Sequence, residues 1–301
     1  MSQLQRPRRR PIALLPNTLT LVNAGLGLLA ISKAIDALAL GSNQLLFDQN
    51  LETACWLILA AGIFDALDGK VARLTNSFSD LGAQLDSLAD ALTFGVAPAI
   101  IAKVFLEQQA VTHSRINFAL VAAFALMAVL RLARFNAEGD DDHVEFAGLP
   151  TPAAAGALVA TILMFLSLGG AIETSDGSPT PVGRGLEYIP LAWREALTDT
   201  LLIPTIILML PALALLMVSR VRYSHFATRL GQAQDRRLLV PIVFVMLGLY
   251  IAPVLSLFAF GLGYVGWGLW STAAGRGRAG PAPPGGRDPP PPPPRTPTPS
   301  A

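Results

Sequence analysis

Four aspartates, Asp65, Asp68, Asp86 and Asp90, stand in an otherwise mostly apolar part of the chain. An acidic side chain at mid-bilayer depth costs roughly 2.5–3.5 kcal/mol on insertion scales, so four exposed to lipid would cost on the order of 10 kcal/mol. Such groups are found where a cation, a partner charge or a polar cavity offsets that cost. Carboxylate oxygens with no Cys or His nearby suit hard cations such as Mg²⁺ or Mn²⁺. The sequence therefore predicts a divalent-metal site.

The spacing of the acids places them on two helix faces. Residues three or four apart share one face of an α-helix, so Asp65 pairs with Asp68 and Asp86 pairs with Asp90. If the two pairs face each other, they form a box of four carboxylates whose formal charge matches two divalent cations. Glycines beside the acids leave the backbone open to a bulky anion, and an arginine offers a fixed positive fork for phosphate. The residues beside the acids are Gly69, Ala72, Arg73, Ser79 and Gly82.

This box is suited to holding a diphosphate and transferring a phosphoryl group. Two other interpretations compete with it. A set of salt bridges between helices would need more cations than Lys70 and Arg73, the basic residues close to the acids in sequence. A cation transporter would show an internal repeat in both halves of the chain, whereas all four acids fall in one 26-residue stretch. An enzyme is therefore the favoured class.

The composition predicts a polytopic membrane protein of the all-α class. The chain has 301 residues, of which 52% are hydrophobic and 14% charged, and its mean hydropathy is +0.50. An ordinary soluble domain has about 25% charged residues. The net charge of +1 gives no sign of a nucleic-acid partner. Windows near the ~20 residues needed to cross a bilayer predict a bundle of about eight transmembrane helices, with six as the minimum: 18–37, 51–67, 82–106, 116–135, 152–172, 199–219, 239–257 and 258–273.

The distribution of basic residues predicts the orientation of the bundle. Connections on the cytoplasmic side carry an excess of Lys and Arg. One alternating set of connections contains the N-terminal arginines, Lys70 with Arg73, Arg131 with Arg134, and five arginines within 220–237, whereas the other set is poorer. We therefore expect the aspartates to open on the cytoplasmic side of the cell (inner) membrane.

Changes in composition divide the chain into three parts. A basic segment at 1–15 precedes a transmembrane catalytic domain at 16–273, and a Pro/Gly-rich segment follows at 274–301. The last segment cannot bury enough apolar surface to fold, so it is predicted to be a disordered tail.

The acidic run resembles the signature of the CDP-alcohol phosphatidyltransferases, with eight fixed residues over 26 positions: Asp65-x2-Asp68-Gly69-x2-Ala72-Arg73-x8-Gly82-x3-Asp86-x3-Asp90. The resemblance implies a membrane enzyme that moves a phosphatidyl group from a CDP-linked lipid to an alcohol. It implies metal ligation by all four aspartates, with Asp90 also the general base. Asn17 and Thr20 look like part of the family's N-terminal P-N-x-x-T element near the nucleotide. The expected contacts to CDP-diacylglycerol are Asn17, Thr20, Gly69, Ala72, Arg73, Ser79 and Gly82.

Several further segments are similar to the membrane-integrated bacterial phosphatidylserine synthases within that family. They include 85–98, 131–136, 146–156 and 219–226. This resemblance implies L-serine as the acceptor, received by Arg131, Arg134 and Asn136, although the two arginines could instead be cytoplasmic anchors of a helix. Glycerol phosphate, inositol phosphate and choline are alternative acceptors. The expected partners are CDP-diacylglycerol, L-serine and membrane lipid, and a homodimer is left open.

Overall fold

The structure is a computed structural model that describes residues 14–75, 80–138, 148–169, 186, 189–219, 221 and 239–273. All regular secondary structure in these residues is helical. The predicted tail at 274–301 lies outside the described residues, as does most of the basic segment at 1–15. The helices are α1 (Leu14–Ala39), α2 (Gln44–Thr75), α3 (Asp80–Asp90), α4 (Ala97–Gln109), α5 (Ser114–Glu138), α6 (Thr151–Gly169), α7 (Leu191–Ala196), α8 (Ile203–Val218), α9 (Leu239–Ile251) and α10 (Pro253–Ala273).

Six stretches of the described chain are long and apolar enough to cross a membrane, which agrees with the predicted minimum. They confirm that this is a multi-pass membrane protein. The predicted window 51–67 lies in α2, which is 32 residues long, or about 48 Å, but is not among the six. The predicted window 239–257 is shorter in the structure, because α9 ends at Ile251. The six are Leu15–Ala39, Leu81–Gln109, Ser114–Ala137, Thr151–Gly169, Ala192–Val218 and Pro253–Thr272.

The boundary between the last two predicted windows was wrong by several residues. The break comes at Ala252, directly before Pro253, rather than at 257. Proline disfavours helical backbone in the residue before it and has no N–H to donate. Pro253 therefore begins α10 instead of interrupting a longer helix.

α1 and α2 pack together along one seam of small and apolar residues. The buried residues of α1 recur every three or four positions, as do those of α2. That spacing puts each set on one face of its helix. The short connection at 40–43 makes the two helices antiparallel neighbours. The buried apolar residues on these faces are Ala30, Ala34 and Ala37 of α1 and Phe47, Leu51, Ala54, Ile58 and Ala61 of α2.

α6 forms the centre of the bundle, since almost all of its residues are buried. Small side chains allow its neighbours to approach closely. A Cβ built on Gly261 of α10 would lie 3.0 Å from the Cα of Ala157, so this crossing depends on a glycine.

Two π-helical segments interrupt the longer spans, at Ala91–Val96 and Leu197–Leu202. The N–H of Ala97 bonds to the carbonyl of Leu92, five residues back, and Ile203 bonds to Thr198 in the same way. Each segment is followed by a proline at the second position of the next helix, Pro98 or Pro204. Because proline has no N–H, the carbonyl four residues earlier loses its usual donor. The first segment begins directly after Asp90.

Candidate active site

Three of the four predicted acids converge between α2 and α3. One carboxylate oxygen each from Asp65, Asp68 and Asp86 lies within 4.8 Å of the others. The two acidic helix faces therefore meet, as their spacing predicts. An all-oxygen set of this size fits a hard divalent cation.

Asp65 and Asp68 lie on the face of α2 that packs against the rest of the protein. The buried stripe that packs α2 against α1 runs through Leu51, Ala54, Ile58 and Ala61 at alternating steps of three and four. Continuing those steps gives 65 and 68. Asp68 is 5% exposed and Asp65 is half-buried. The acids thus occupy the next two positions of a packing face, which is why they point into the protein rather than into lipid.

Asp90 stands beside this trio rather than within it. Its carboxyl group lies next to that of Asp65 and interacts electrostatically with Asp65, Asp68 and Asp86. The amide Nδ2 of Asn23 lies 3.5 Å from Asp90 Oδ1. The predicted box of four is therefore arranged as three acids around one point, with the fourth next to Asp65.

No protein cation neutralises these acids through an ion pair within the described residues. The ion pairs found there are Lys33–Asp36 at 3.2 Å and Lys103–Glu107 at 2.8 Å, and neither involves the cluster. Like charges held this close repel one another unless a cation is bound. The arrangement therefore argues against the salt-bridge interpretation, and the residues present fit a bound divalent metal.

α1 contributes two polar residues to the acids. The hydroxyl of Thr20, a predicted nucleotide contact, lies 3.0 Å from Asp68 Oδ2 and 3.1 Å from the carbonyl of Pro16. Thr20 is buried. The sequence did not predict that its hydroxyl would contact Asp68. Asn23 was missed altogether, although its position one turn after Thr20 on the same face could have indicated it.

The other predicted nucleotide contacts border the cluster in sequence. A Cβ built on Gly69 would meet no atom within 4 Å, so the space beside it is open. Arg73 is exposed in the last turn of α2, while Asn17, Ala72 and Gly82 are half-buried. Ser79 lies outside the described residues.

The predicted acceptor residues lie on α5 and differ in exposure and in their partners. Arg131 is half-buried, interacts electrostatically with Asp90 and Tyr264, and has its Nη1 3.3 Å from Thr151 Oγ1. Its buried Nε has no partner among the described residues. Asn136 is exposed and pairs with Ser87, with its Nδ2 2.9 Å from the serine hydroxyl. Arg134 is exposed.

Comparison with known proteins agrees with this geometry. A sequence model of the CDP-alcohol phosphatidyltransferase family matches residues 13–182, which contain the whole acidic cluster. The CDP-diacylglycerol–serine O-phosphatidyltransferase of Helicobacter pylori is 35% identical over 217 residues, covering 72% of this chain and 74% of that protein. The protein of the same name in Mycobacterium tuberculosis is 34% identical over 179 residues, covering 56% of this chain and 57% of that protein.

An archaeal relative also matches. The archaetidylserine synthase of Methanothermobacter thermautotrophicus is 38% identical over 143 residues, covering 47% of this chain and 54% of that protein. The matched regions thus span between about half and three quarters of these relatives' lengths. Members of the matched family use divalent cations. By its matched region and its converging aspartates, the chain belongs to the CDP-alcohol phosphatidyltransferase family.

Proposed function

We propose that this protein transfers the phosphatidyl group of CDP-diacylglycerol to the hydroxyl of L-serine, giving phosphatidylserine and CMP. The observation that carries the proposal is the convergence of Asp65, Asp68 and Asp86 beside Asp90, inside the region that matches the family. Relatives named as serine phosphatidyltransferases support the choice of acceptor.

Two divalent cations, Mg²⁺ or Mn²⁺, would be held by Asp65, Asp68 and Asp86 together with Asp90. When bound, they would supply charge neutralisation for the diphosphate and for the leaving CMP. Charge and oxygen donors support this assignment, because four carboxylates balance two dications and hard cations prefer oxygen.

Asp90 would take the proton of the serine hydroxyl. The serine oxygen then forms a bond to the β-phosphorus, which carries diacylglycerol, and the bond from that phosphorus to the bridging oxygen breaks. CMP leaves with the bridging oxygen, and Asp90 later releases its proton to water. A hydroxyl has a pKa far above neutral pH, so the attack needs a base within hydrogen-bonding reach.

The residues around the acids would orient the lipid nucleotide. Arg73 would contact the diphosphate as a planar cation, and the open space beside Gly69 would admit it. Ser79 would donate a hydrogen bond. Thr20 would act partly by holding Asp68, given their 3.0 Å contact. The remaining contacts to CDP-diacylglycerol would come from Asn17, Ala72 and Gly82.

The serine acceptor would be received on the α5 side of the cluster. Arg131 would bind the serine carboxylate, since its buried Nε has no partner among the described residues and the side chain interacts with Asp90. Arg134 and Asn136 would lie further out. An acceptor that carries a phosphate, such as glycerol phosphate or inositol phosphate, would require more cations than these.

The protein would work in the cell (inner) membrane with the cluster open to the cytoplasm, as the positions of Lys and Arg indicate. Residues 16–273 would form the catalytic domain, between the basic segment at 1–15 and the tail at 274–301. A homodimer is compatible with this arrangement.

The transporter interpretation is disfavoured, because a transporter would repeat its ion site in both halves of the chain. Among the described residues, one acidic cluster of at least three ligands occurs, and the second half of the described chain contains none.

The test is CMP release by purified protein from CDP-diacylglycerol in detergent, with serine, glycerol phosphate, inositol phosphate, choline or no acceptor. Release that depends on serine is expected. If CMP is released with one of the other acceptors but not with serine, that acceptor replaces serine in the proposal. Equal release of CMP with and without an acceptor would contradict the transferase activity.

A further inference from the structure

Asn23 is a buried polar residue that the family signature leaves unassigned. Its side chain is 0% exposed, and it lies on α1 one turn after Thr20. These two residues continue the stripe of Gly27, Ala30 and Ala34 that packs α1 against its neighbours. α1 therefore turns two polar side chains toward the acids.

The two polar residues of α1 serve different acids. Thr20 contacts Asp68 of the metal-binding trio, whereas the Nδ2 of Asn23 lies 3.5 Å from Oδ1 of Asp90. A hydrogen bond from an amide to an ionised carboxylate fixes the rotation of that carboxylate and is stronger than one between neutral groups. Asn23 is thus the α1 residue that meets the acid assigned to the proton transfer.

Asn23 is itself held from the opposite side. The hydroxyl of Thr93, in the π-helical segment that follows Asp90, lies 3.2 Å from the backbone carbonyl of Asn23. A Cβ built on Gly27 would lie 2.5 Å from that hydroxyl oxygen, so α1 can approach Thr93 this closely because residue 27 is glycine. Gly27 and Thr93 therefore fix the distance between Asn23 and the end of α3.

Packing alone does not account for an asparagine here. Its Oδ1 is buried and has no hydrogen-bond partner among the described residues. A buried polar atom without a partner costs about 1–3 kcal/mol, which an apolar side chain of similar size would avoid. The side-chain contact that Asn23 does make is with Asp90. This contact therefore indicates what the asparagine is for.

We propose that Asn23 is a positioning residue: its amide holds the Asp90 carboxylate in the orientation from which it accepts the serine proton, and Thr93 holds Asn23. This inference rests on the proposed function and adds a residue that acts through Asp90. Asn23 touches neither substrate nor metal in this account. Its loss should therefore slow turnover without weakening nucleotide binding.

The test measures serine-dependent CMP release and CDP binding by calorimetry for Asn23→Ala and Asn23→Leu. Asn23→Leu keeps a similar size but removes the donor, so both variants should lose kcat by about 10- to 100-fold, the scale of a misplaced catalytic group. The KM for CDP-diacylglycerol and the affinity for CDP should change by less than about threefold. In an Asp90→Asn background, Asn23→Ala should cause no further loss beyond about twofold, because residues that act as one unit are not additive.

Asn117→Ala is the matched control, because Asn117 is also a fully buried asparagine but bonds to Thr112 and Glu107 on another part of the bundle. It should keep wild-type kcat. If the Asn23 variants fail to fold, two variants of Thr93 test the proposal instead. Thr93→Val removes the hydroxyl that contacts Asn23 and should lower kcat while CDP binding is retained. Thr93→Ser keeps the hydroxyl and should have the kcat of the wild type.

Three results would overturn the inference, and those that leave the proposed function standing can be told apart from the one that removes it. Wild-type kcat in Asn23→Leu, or a full further loss in the Asp90→Asn background, would show that Asn23 does not act through Asp90 while leaving the proposed function standing. Wild-type protein that releases no CMP in response to serine would remove the proposed function and this inference with it.

Discussion

The two ends of the seam between α1 and α2 share one geometry but differ in chemistry. At one end, Ala34 and Ala37 of α1 and the apolar stripe of α2 are fully buried. At the other end, the same alternating steps of three and four place Thr20 opposite Asp68, 3.0 Å apart. The apolar end fixes the distance between the helices, and the polar end uses that distance to bring the acids together. A packing pattern thus also positions the site.

The buried hydroxyl groups of the central helix α6 can be compared with the polar residues of α1. The hydroxyls of Thr161 and Ser167 bond to carbonyls four residues earlier in their own helix, at 2.8 and 2.7 Å. Such hydroxyls are satisfied locally and place no demand on a neighbour. Thr20 of α1 has the same local contact, to the carbonyl of Pro16, but its hydroxyl also reaches Asp68 of α2, and the amide of Asn23 reaches Asp90 of α3. Substitutions in the two regions should therefore affect different properties.

The largest effect is expected at the acids themselves. Asp65→Asn, Asp68→Asn and Asp86→Asn should each insert into the membrane and lose nearly all turnover, because each replaces a charged metal ligand with a neutral one while relieving repulsion among the carboxylates. Serine-dependent CMP release, compared with the yield of folded protein, measures this. A variant that kept half of wild-type activity would remove that residue from the site.

Asp90→Asn should fail in a different way from Asp65→Asn. It keeps shape and an oxygen donor but loses basicity, so turnover should fall by ~10²–10⁴-fold while CDP still binds. Asp65→Asn should weaken CDP binding as well, because metal is lost with it. Calorimetry with CDP separates the two. Equal loss of CDP binding in both variants would make Asp90 mainly a metal ligand.

A smaller effect is expected when one hydroxyl is removed at the polar end of the seam. Thr20→Val deletes the hydrogen bond to Asp68, and a bond to a charged group contributes about 1.5–3 kcal/mol. Activity at limiting metal should fall by roughly tenfold or more, since 1.4 kcal/mol is about a factor of ten. Thr161→Val makes the same change in α6 and should leave activity unchanged. Equal activity in both variants would contradict a supporting role for Thr20.

At the apolar end of the seam, stability rather than chemistry should change. Ala34→Leu adds volume where the native side chain is 0% exposed, and overpacking usually costs about 1–3 kcal/mol. A lower Tm in detergent is expected, with little change in kcat per folded molecule below that temperature. Loss of kcat at an unchanged Tm would show that the two ends are not separable.

The sequence predicted the six spans and the meeting of Asp65, Asp68 and Asp86, because both depend on patterns that are local in the chain. The 3.6-residue period places Asp65 with Asp68 and Asp86 with Asp90 on one face each. It could not show that Asp90 stands beside the trio, nor that Asn23 meets it, because both depend on how α1 packs against the π-helical segment. That segment is signalled by Pro98, whose missing N–H can be noticed in the sequence, but the resulting hydrogen-bond pattern cannot be read from hydrophobic periodicity. The break at Ala252 was placed at 257, because hydropathy continues across Pro253.

The central claim is that the carboxylate cluster works as a hard-cation site for phosphatidyl transfer. The most direct measurement is serine-dependent CMP release by wild-type protein after treatment with excess EDTA, followed by stepwise return of Mg²⁺ or Mn²⁺. An oxygen-only site predicts complete loss of activity, recovery with either ion, and no inhibition by a zinc-selective chelator. Full activity in excess EDTA would contradict the account.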